Sequence, residues 1–520
     1  MITFLSKRIT YTVTIFLLLT NLGYAQENIS VVKKTTITTP QQMNDGWLIG
    51  SLHEANIDST KLLKILERIN ENEYQGIHSI LIVKDGKLIF EEYFPGYDFD
   101  YNAKEFKGKL VDHDLSTVHN LASVTKSVTS LLFGIAVDKG FIKGVNEKLY
   151  TFFPQDSALF SGSKKNITLQ NLLTMSSGLQ WNENDLPYGN LKNDVVQLFF
   201  VQDPLRYILS KPIADEPGTK FYYNGGGTNL LGRIIQETSG ERLDNFAQKY
   251  LFDPLGIKQP KWVYIRPNFV YASGDLRITP RDMAKLGSLV LNKGMWNDSR
   301  VISEEWINQM TTKHVFMPND EGYGYQWWLK KYKSGSTEIN SCYAAGWGGQ
   351  HIFTFPELNT IIVITAGNYT VKDHAQEIIY RYILPSIKND FGYDLKAIEK
   401  DAPLPDDVVV TKPDDGTKAN LSAFSGNWYG QWDYLLSCQM AVEKINNSEA
   451  EVVYAWADHP SGYFKKGWMK KTAKVDSTDA IGFENNNATW KFNYDKSEDV
   501  LTGYYKDQYV NLKMIMKRKK

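Results

Sequence analysis

A chain of 520 residues with a formal charge of −1 offers no electrostatic attraction for nucleic acid or for an anionic membrane surface. Its hydrophobic and charged fractions, 42% and 22%, are ordinary for a soluble globular protein. At roughly 150 residues per domain the length implies two or three domains.

The N-terminus reads as an address rather than as fold. Lys7 and Arg8 form a basic start, residues 9–19 (ITYTVTIFLLL) a short apolar run, and Gly23-Tyr24-Ala25 a small-x-small cleavage signal. The run is short for a membrane span, and no cysteine follows to accept a lipid. The expectation is a signal peptide over 1–25 and an exported chain, periplasmic or secreted, with no membrane span once mature; an uncleaved anchor is the alternative. Residues 26–45 are polar and read as a flexible lead.

A catalytic domain is expected over 46–400. His78 to Val83 and Lys87 to Tyr93 flank Lys84-Asp85-Gly86, a hairpin signal. Helical patterns follow at 122–139 and 281–292. A second hairpin reads 351–355, a turn at 356–359, then 360–365. Residues 372–387 carry Ile378, Ile379, Tyr382 and Ile383 at helical spacing, as a closing helix would. Strands at both ends and helices between them indicate an α+β fold: an antiparallel sheet flanked by helices, with a mostly helical subdomain.

Residues 401–418 are rich in Pro and Asp and read as a linker. Beyond it, over 419–520, Trp490, Phe492 and Tyr494 alternate with polar residues, as do Val510, Leu512, Met514 and Met516. This predicts a small C-terminal all-β barrel or sandwich. Trp428, Trp432 and Trp456 there suit glycan contact or core packing, and removing the tail after about residue 400 is expected to leave a folded catalytic domain. Cys342 and Cys438 fall in different domains and are expected as free, buried thiols. The eight histidines form no H-E-x-x-H and the cysteines no C-x-x-C, so neither a metal nor a cofactor is implied.

Ser123-Val124-Thr125-Lys126 is an S-x-x-K tetrapeptide. Two others, at Ser30 and Ser161, lie in a polar lead and a loop-like stretch; only Ser123 opens a long helical pattern. Residues three apart share a helix face, so the Lys126 amine can reach the Ser123 hydroxyl. Lysine can serve as the base that activates serine if burial depresses its pKa. A serine at a helix start also has a backbone N–H free for an oxyanion. No G-x-S-x-G occurs, which excludes the α/β-hydrolase elbow.

Further segments join this one: 167–179 (ITLQNLLTMSSGL), 216–232 (EPGTKFYYNGGGTNLLG) and 344–350 (AAGWGGQ). Together, in order and spacing, the four resemble the serine β-lactamase/DD-peptidase superfamily, in its class C-like branch of esterases and 6-aminohexanoate-dimer hydrolases. The likeness runs from about residue 45 to 390. It implies a β-lactamase/transpeptidase-like fold and a Ser123–Lys126–Tyr223 catalytic set, with Tyr223 chosen over Tyr222 by the frame Pro-Gly-x-x-Phe-x-Tyr. It places the Gly349 and Ser123 N–H groups at the oxyanion, and Asn224, Gly346, Trp347, Gly348 and Trp181 on the substrate side.

Two departures count. The slot for the second motif's Asn falls on Gly225, and Gly346-Trp347-Gly348 stands where a Lys-Thr-Gly or His-x-Gly is usual. The cation that would hold a β-lactam carboxylate is missing. The expected substrate is therefore a small-molecule or oligomeric ester or amide. The alternatives are a peptidase or weak β-lactamase, or a catalytically silent ligand-binding protein. The polar stretch 181–190 reads as a loop over the site, and His351 as a packing or surface residue.

Overall fold

The structure, a computed structural model, describes residues 33–317, 321–334, 337–389, 391–392, 394–432, 436–458, 465–507 and 511–519. The signal-like segment lies outside the described residues. Among those described, no helix is long and apolar enough to cross a membrane.

Asp85 and Gly86 both take positive φ, 51° and 77°, as a two-residue hairpin turn of right-handed twist requires. The chain reverses there from β2 (Ile77–Lys84) to β3 (Lys87–Tyr93), and β1 (Leu48–Ile49) adds to β3 in parallel. A small hairpin, β4 (Gly96–Phe99) with β5 (Lys107–Val111), follows. Then β6 (His119–Asn120) pairs with β7 (Arg277–Ile278) across a long helical excursion. The chain returns through β8 (Val315–Phe316), β9 (Gly322–Tyr323), β10 (Trp328–Ser334), β11 (Thr337–Gly346), β12 (Gln350–Phe355) and β13 (Thr360–Ala366). The nine-stranded order is β1-β3-β2-β13-β12-β11-β10-β9-β8. The sheet is complete only when β13 closes on β2, with Ile362 opposite Ile82.

Period-two alternation sorts the side chains of β2. Leu81 and Val83 enter one core with Val128, Leu132, Leu286, Ile352 and Val363. Ile80 and Ile82 enter the other with Leu62, Ile65, Ile362, Ile378 and Ile383. The first core is covered by α2 (Val124–Asp138), α3 (Gly225–Ser239) and α4 (Pro280–Leu291). The second is covered by the helix Ser59–Asn70 and by the closing helix, whose turns run from Ala375 to Ile387 with a π-helical segment at Ile379–Ile383.

The C-terminal strands run from Gly426–Trp432 to Asn511–Arg518 and close into an eight-stranded barrel. First and last strands pair, Trp428 opposite Arg518, so the barrel rather than the sandwich is formed. Trp428 and Trp432 are buried in its core, and Trp456 is half-buried with its Nε1 donating to the Lys465 carbonyl. The first two are packing residues and present no glycan surface. Cys342 and Cys438 are free and buried.

The lead is more fixed than its composition predicts. Glu92 is buried on β3 and needs partners. Lys34 Nζ reaches it at 2.7 Å, and the Thr38 backbone N–H donates to it at 3.0 Å. Arg281 holds Asp45 at 2.8 Å and the Gln41 carbonyl at 2.8 Å. Residues 402–418 carry neither helix nor strand, yet they are tied along the barrel: Thr411 N–H donates to Glu443 O at 2.8 Å and Gln439 Nε2 to Ala402 O at 2.7 Å.

Ion pairs join barrel and sheet. Glu498 of the barrel takes Arg68 at 3.0 Å and Arg381 at 3.1 Å. Lys513 takes Glu377 at 3.1 Å and Glu73 at 3.3 Å. Burial opposes the Glu377 charge, but His374, Lys513 and Arg381 outweigh it and hold the carboxyl well below its usual range. Removing one partner leaves the others buried and uncompensated. Glu498→Ala is expected to cost about 1–3 kcal/mol, less than a fully buried pair because the site is partly hydrated; urea denaturation of the full chain reads it, and an unchanged midpoint would show that the barrel is held by other contacts.

Candidate active site

The site starts from a strained residue. Ala122 sits at φ 43°, a left-handed conformation that costs a non-glycine residue on the order of 1–2 kcal/mol. It is held there by Asn120, whose Oδ1 accepts the Ala122 N–H at 2.8 Å, and by Thr125, whose hydroxyl donates to the Ala122 carbonyl at 2.7 Å. The turn delivers Ser123 to the N-cap of α2, half-buried and facing the cleft, and α2 continues to Asp138 before Gly140 breaks off at φ 76°. Among the described residues no acceptor takes the Ser123 N–H.

Lys126, one turn on, is 2% exposed. Its Nζ donates to Ser123 Oγ at 2.9 Å, to the Ser273 carbonyl at 3.0 Å and to Glu183 Oε1 at 3.3 Å, and lies 4.7 Å from the centre of the Tyr223 ring. Burial pulls the Lys126 pKa down, as expected from sequence, but Glu183 and Tyr223 oppose it and the net direction is upward. Burial alone therefore does not set the direction for Lys126: a carboxylate that the motifs did not reveal favours its charged form.

Glu183 is the functional residue that sequence reasoning missed. Its carboxylate is 1% exposed and collects donors from Gly225 N–H at 2.6 Å, Trp181 Nε1 at 2.9 Å, Tyr188 Oη at 3.3 Å and Lys126. Gly225 opens α3, so the carboxylate also lies at the positive end of a helix dipole. A Cβ at Gly225 would stand 2.8 Å from Glu183 Oε2. The glycine in the slot expected for Asn is therefore the space that Glu183 fills; that departure, beside an acid in the facing loop, was the available signal.

Tyr223 reaches the site because the segment before it is laid on 167–179. Tyr222 N–H donates to the Met175 carbonyl at 2.7 Å and Gly218 N–H to the Ser176 carbonyl at 2.7 Å. Tyr222 turns outward to Asp185 at 2.7 Å, while the Tyr223 ring stacks on Trp328 at 6.2 Å. Two residues placed on the substrate side from sequence are not there. Asn224 is buried and caps α3, accepting the Gly227 N–H at 2.9 Å. Trp181 is buried, 1% exposed, and acts on Glu183 rather than on a ligand.

Gly346, Trp347, Gly348 and Gly349 form the β11–β12 turn beside Ser123. A Cβ on Gly346 would lie 2.3 Å from the Leu121 carbonyl and 3.2 Å from the Ser123 nitrogen, so only glycine lets this turn approach Ser123. Gly348 sits at φ 87° against the Tyr369 ring. The Gly349 N–H, expected at the oxyanion, donates instead to the Gly346 carbonyl at 3.2 Å within the turn. Trp347 is half-buried in an aromatic wall, with Tyr188 and Phe106 at 4.8 Å, Tyr369 at 5.0 Å and Phe99 at 5.8 Å. The wall draws on the 181–190 loop, the β4–β5 hairpin and the chain after β13.

His351, just past the turn, is buried and pairs with Asp373 at 2.6 Å. Burial raises the Asp373 pKa, but His351 outweighs it and brings it to about 2, against an ordinary value of 3.8. A depressed carboxylate stabilises the fold above its unfolded pKa and loses that contribution as pH falls through its folded one. His351→Gln is therefore expected to lower stability at pH 5, with the difference from wild type closing between about pH 4 and 2; a difference that persists at pH 2 would show a packing role alone. Glu183→Ala, which strands a buried ammonium, is expected to cost about 3–5 kcal/mol, read by chemical denaturation.

With the geometry in place, the comparisons are direct. The Beta-lactamase family matches residues 70–383. Lovastatin esterase of Penicillium rubens is 29% identical over 211 residues, 36% of this chain and 50% of that protein. The 6-aminohexanoate-dimer hydrolase of Paenarthrobacter ureafaciens is 23% identical over 264 residues, 47% of this chain and 65% of that protein. The chain thus spans about half to two thirds of the length of these relatives. A solved structure, a provisionally named 6-aminohexanoate-dimer hydrolase from Bacillus anthracis, has a TM-score of 0.51 at 18% identity over 69% of this chain and 88% of that one, a likeness of fold. The family match covers more than half of the sequence, runs through all the motif segments and the sheet that positions them, and the chain belongs to the Beta-lactamase family.

Proposed function

We propose that this member of the family is a serine hydrolase that opens an ester or amide bond through an acyl-enzyme on Ser123. The observation that carries it is the 2.9 Å contact between Lys126 Nζ and Ser123 Oγ at the start of α2, backed by Glu183 and Tyr223. A protein that only binds has no use for a lysine buried against a half-exposed serine.

Protons must balance around a lysine that begins charged. Ser123 Oγ attacks the carbonyl carbon, and its proton leaves toward Lys126. Lys126 can accept it only as it yields one of its own, and Glu183 Oε1, at 3.3 Å, is the acceptor in reach. The Tyr223 phenol, against the same ammonium, relays a proton to the departing alcohol or amine. Water then attacks the acyl carbon by the reverse relay, releasing the acid and restoring Ser123. The Ser123 N–H, at a helix start, stabilises the oxyanion. The Gly349 N–H joins it only if its long turn bond gives way.

The substrate reading rests on the turn. No cation stands at Gly346-Trp347-Gly348, and the wall around Trp347 is aromatic. Such a surface favours apolar acyl or leaving groups over a β-lactam carboxylate. The names of the two curated relatives cover an ester and an amide, in keeping with either bond. Export rests on the signal-like residues 7–25.

Ser123→Ala is expected to lower turnover by on the order of 10⁴-fold or more with the fold retained, and a fluorophosphonate should label wild type at Ser123 alone. Lys126→Arg should fail nearly as badly as Lys126→Ala, since arginine cannot give up its proton; a near-normal rate would show that charge is enough. p-Nitrophenyl acetate should be cleaved faster than nitrocefin, and the reverse order would overturn the substrate reading.

A further inference from the structure

The sequence spacing of the histidines implies no metal, yet the fold brings three of them together. His78 on β2, His113 just beyond β5 and His119 on β6 converge, and each offers a ring nitrogen within 4.8 Å of the others. They are 3%, 5% and 4% exposed. The rings of His78 and His113 lie 4.2 Å apart and nearly parallel, with His119 at 4.6 Å from His113 and 5.3 Å from His78.

Their polar atoms are not satisfied by protein. Among the described residues, Nδ1 of His78 and both ring nitrogens of His113 are buried without a hydrogen-bond partner. His119 Nε2 has only the Thr365 hydroxyl, at 3.5 Å, beyond a strong bond. Buried polar atoms left unpaired are costly, and a partner that takes one nitrogen from each ring would relieve that cost.

The chemistry of that partner follows from the donors. The donors are three imidazole rings, each buried, with one nitrogen of each close to the other two. Neutral imidazoles are metal ligands and poor anion hosts. Asp112 and Asp114 add negative potential toward His113, and so does Asp98, though it is paired with Arg277 at 3.1 Å, a cation that also faces His119. The His78 ring is clamped between glycines, since a Cβ at Gly96 would lie 2.2 Å from its Nε2 and one at Gly367 2.9 Å from its Cε1.

We propose that His78, His113 and His119 form a site for a divalent transition metal of the zinc type. Three imidazole nitrogens suit zinc, cobalt(II), nickel(II) or copper(II) and leave a further position for water. Tetrahedral zinc at about 2.0–2.1 Å from each nitrogen sets them roughly 3.3 Å apart, so binding would turn the His113 ring out of its stack on His78. The site is a fastener. His113 ends the hairpin that presents Phe99 and Phe106 to Trp347. His119 precedes Asn120, whose side chain holds Ala122 and with it Ser123. A metal there would pin the aromatic wall and the approach to the nucleophile onto β2.

The test uses the full chain, free of any histidine tag and stripped with chelator. Calorimetric titration with zinc sulfate should show about one zinc per chain, at micromolar affinity or tighter, with a rise in Tm. Cobalt(II) should give the intense visible bands of a tetrahedral, nitrogen-rich site. His113→Gln and His119→Gln should each weaken zinc at least about tenfold and abolish the Tm rise. No uptake at roughly 100 µM zinc, or uptake undiminished in both variants, would overturn the proposal. Should the variants not fold, the wild-type cobalt spectrum decides alone: tetrahedral bands support the site, and the weak absorption of octahedral cobalt sinks it.

Discussion

The buried ion pair of Lys126 and Glu183 is the contact around which the rest of the site is arranged. An ammonium that is almost wholly removed from water costs several kcal/mol unless a counter-charge and hydrogen bonds replace its hydration. Glu183 supplies the charge, and the Ser273 carbonyl and Ser123 hydroxyl complete the shell. The carboxylate must in turn be satisfied, and its donors come from Trp181, Tyr188 and the start of α3. One pair therefore ties α2 to the 181–190 loop and to the second motif, and a loop that is polar in composition becomes a fixed wall.

Close approach is the second constraint. The β11–β12 turn can lie against Ser123 only because Gly346 has no Cβ to meet the Leu121 carbonyl. Ala122 accepts a left-handed backbone so that the chain can enter α2 at the required angle. The Ala122 conformation is costly in isolation. It persists because Asn120 and Thr125 bind that residue from two sides, a case of local strain held by surrounding hydrogen bonds beside Ser123.

The barrel answers a different demand. Its closure removes both edge strands, and its outer surface brings Glu498 and Lys513 to charges buried on the helices Ser59–Asn70 and 375–387. Those helices cover the face of the sheet opposite Ser123. The barrel thus braces the back of the catalytic layer, and its buried tryptophans serve its own core.

Local rules made much of this molecule legible in the sequence. Period-two and helical spacing located the hairpin at Asp85-Gly86, α2, the closing helix and the strands of the C-terminal barrel, because those patterns depend on neighbours a few residues apart. That Lys126 lies against Ser123 was readable because the two share one helical turn, and Tyr223 joins them from a short motif. What required the tertiary structure were contacts between residues far apart in the chain. Glu183 reaches Lys126 across 57 positions, and no spacing rule links a carboxylate in a loop to a lysine on a helix. The same distance in sequence hid the ties that hold residues 34–45, whereas the Trp181 bond to Glu183, the Asn224 cap and the Gly349 N–H bond are local contacts whose choice among rivals depended on packing. His78, His113 and His119 show it most plainly: their spacing matches no metal motif, and only the sheet and the β4–β5 hairpin bring their nitrogens together. Burial and charge pairing are set by that assembly, and so the direction of the Lys126 pKa, downward from burial alone, was decided by a partner that only the fold could supply.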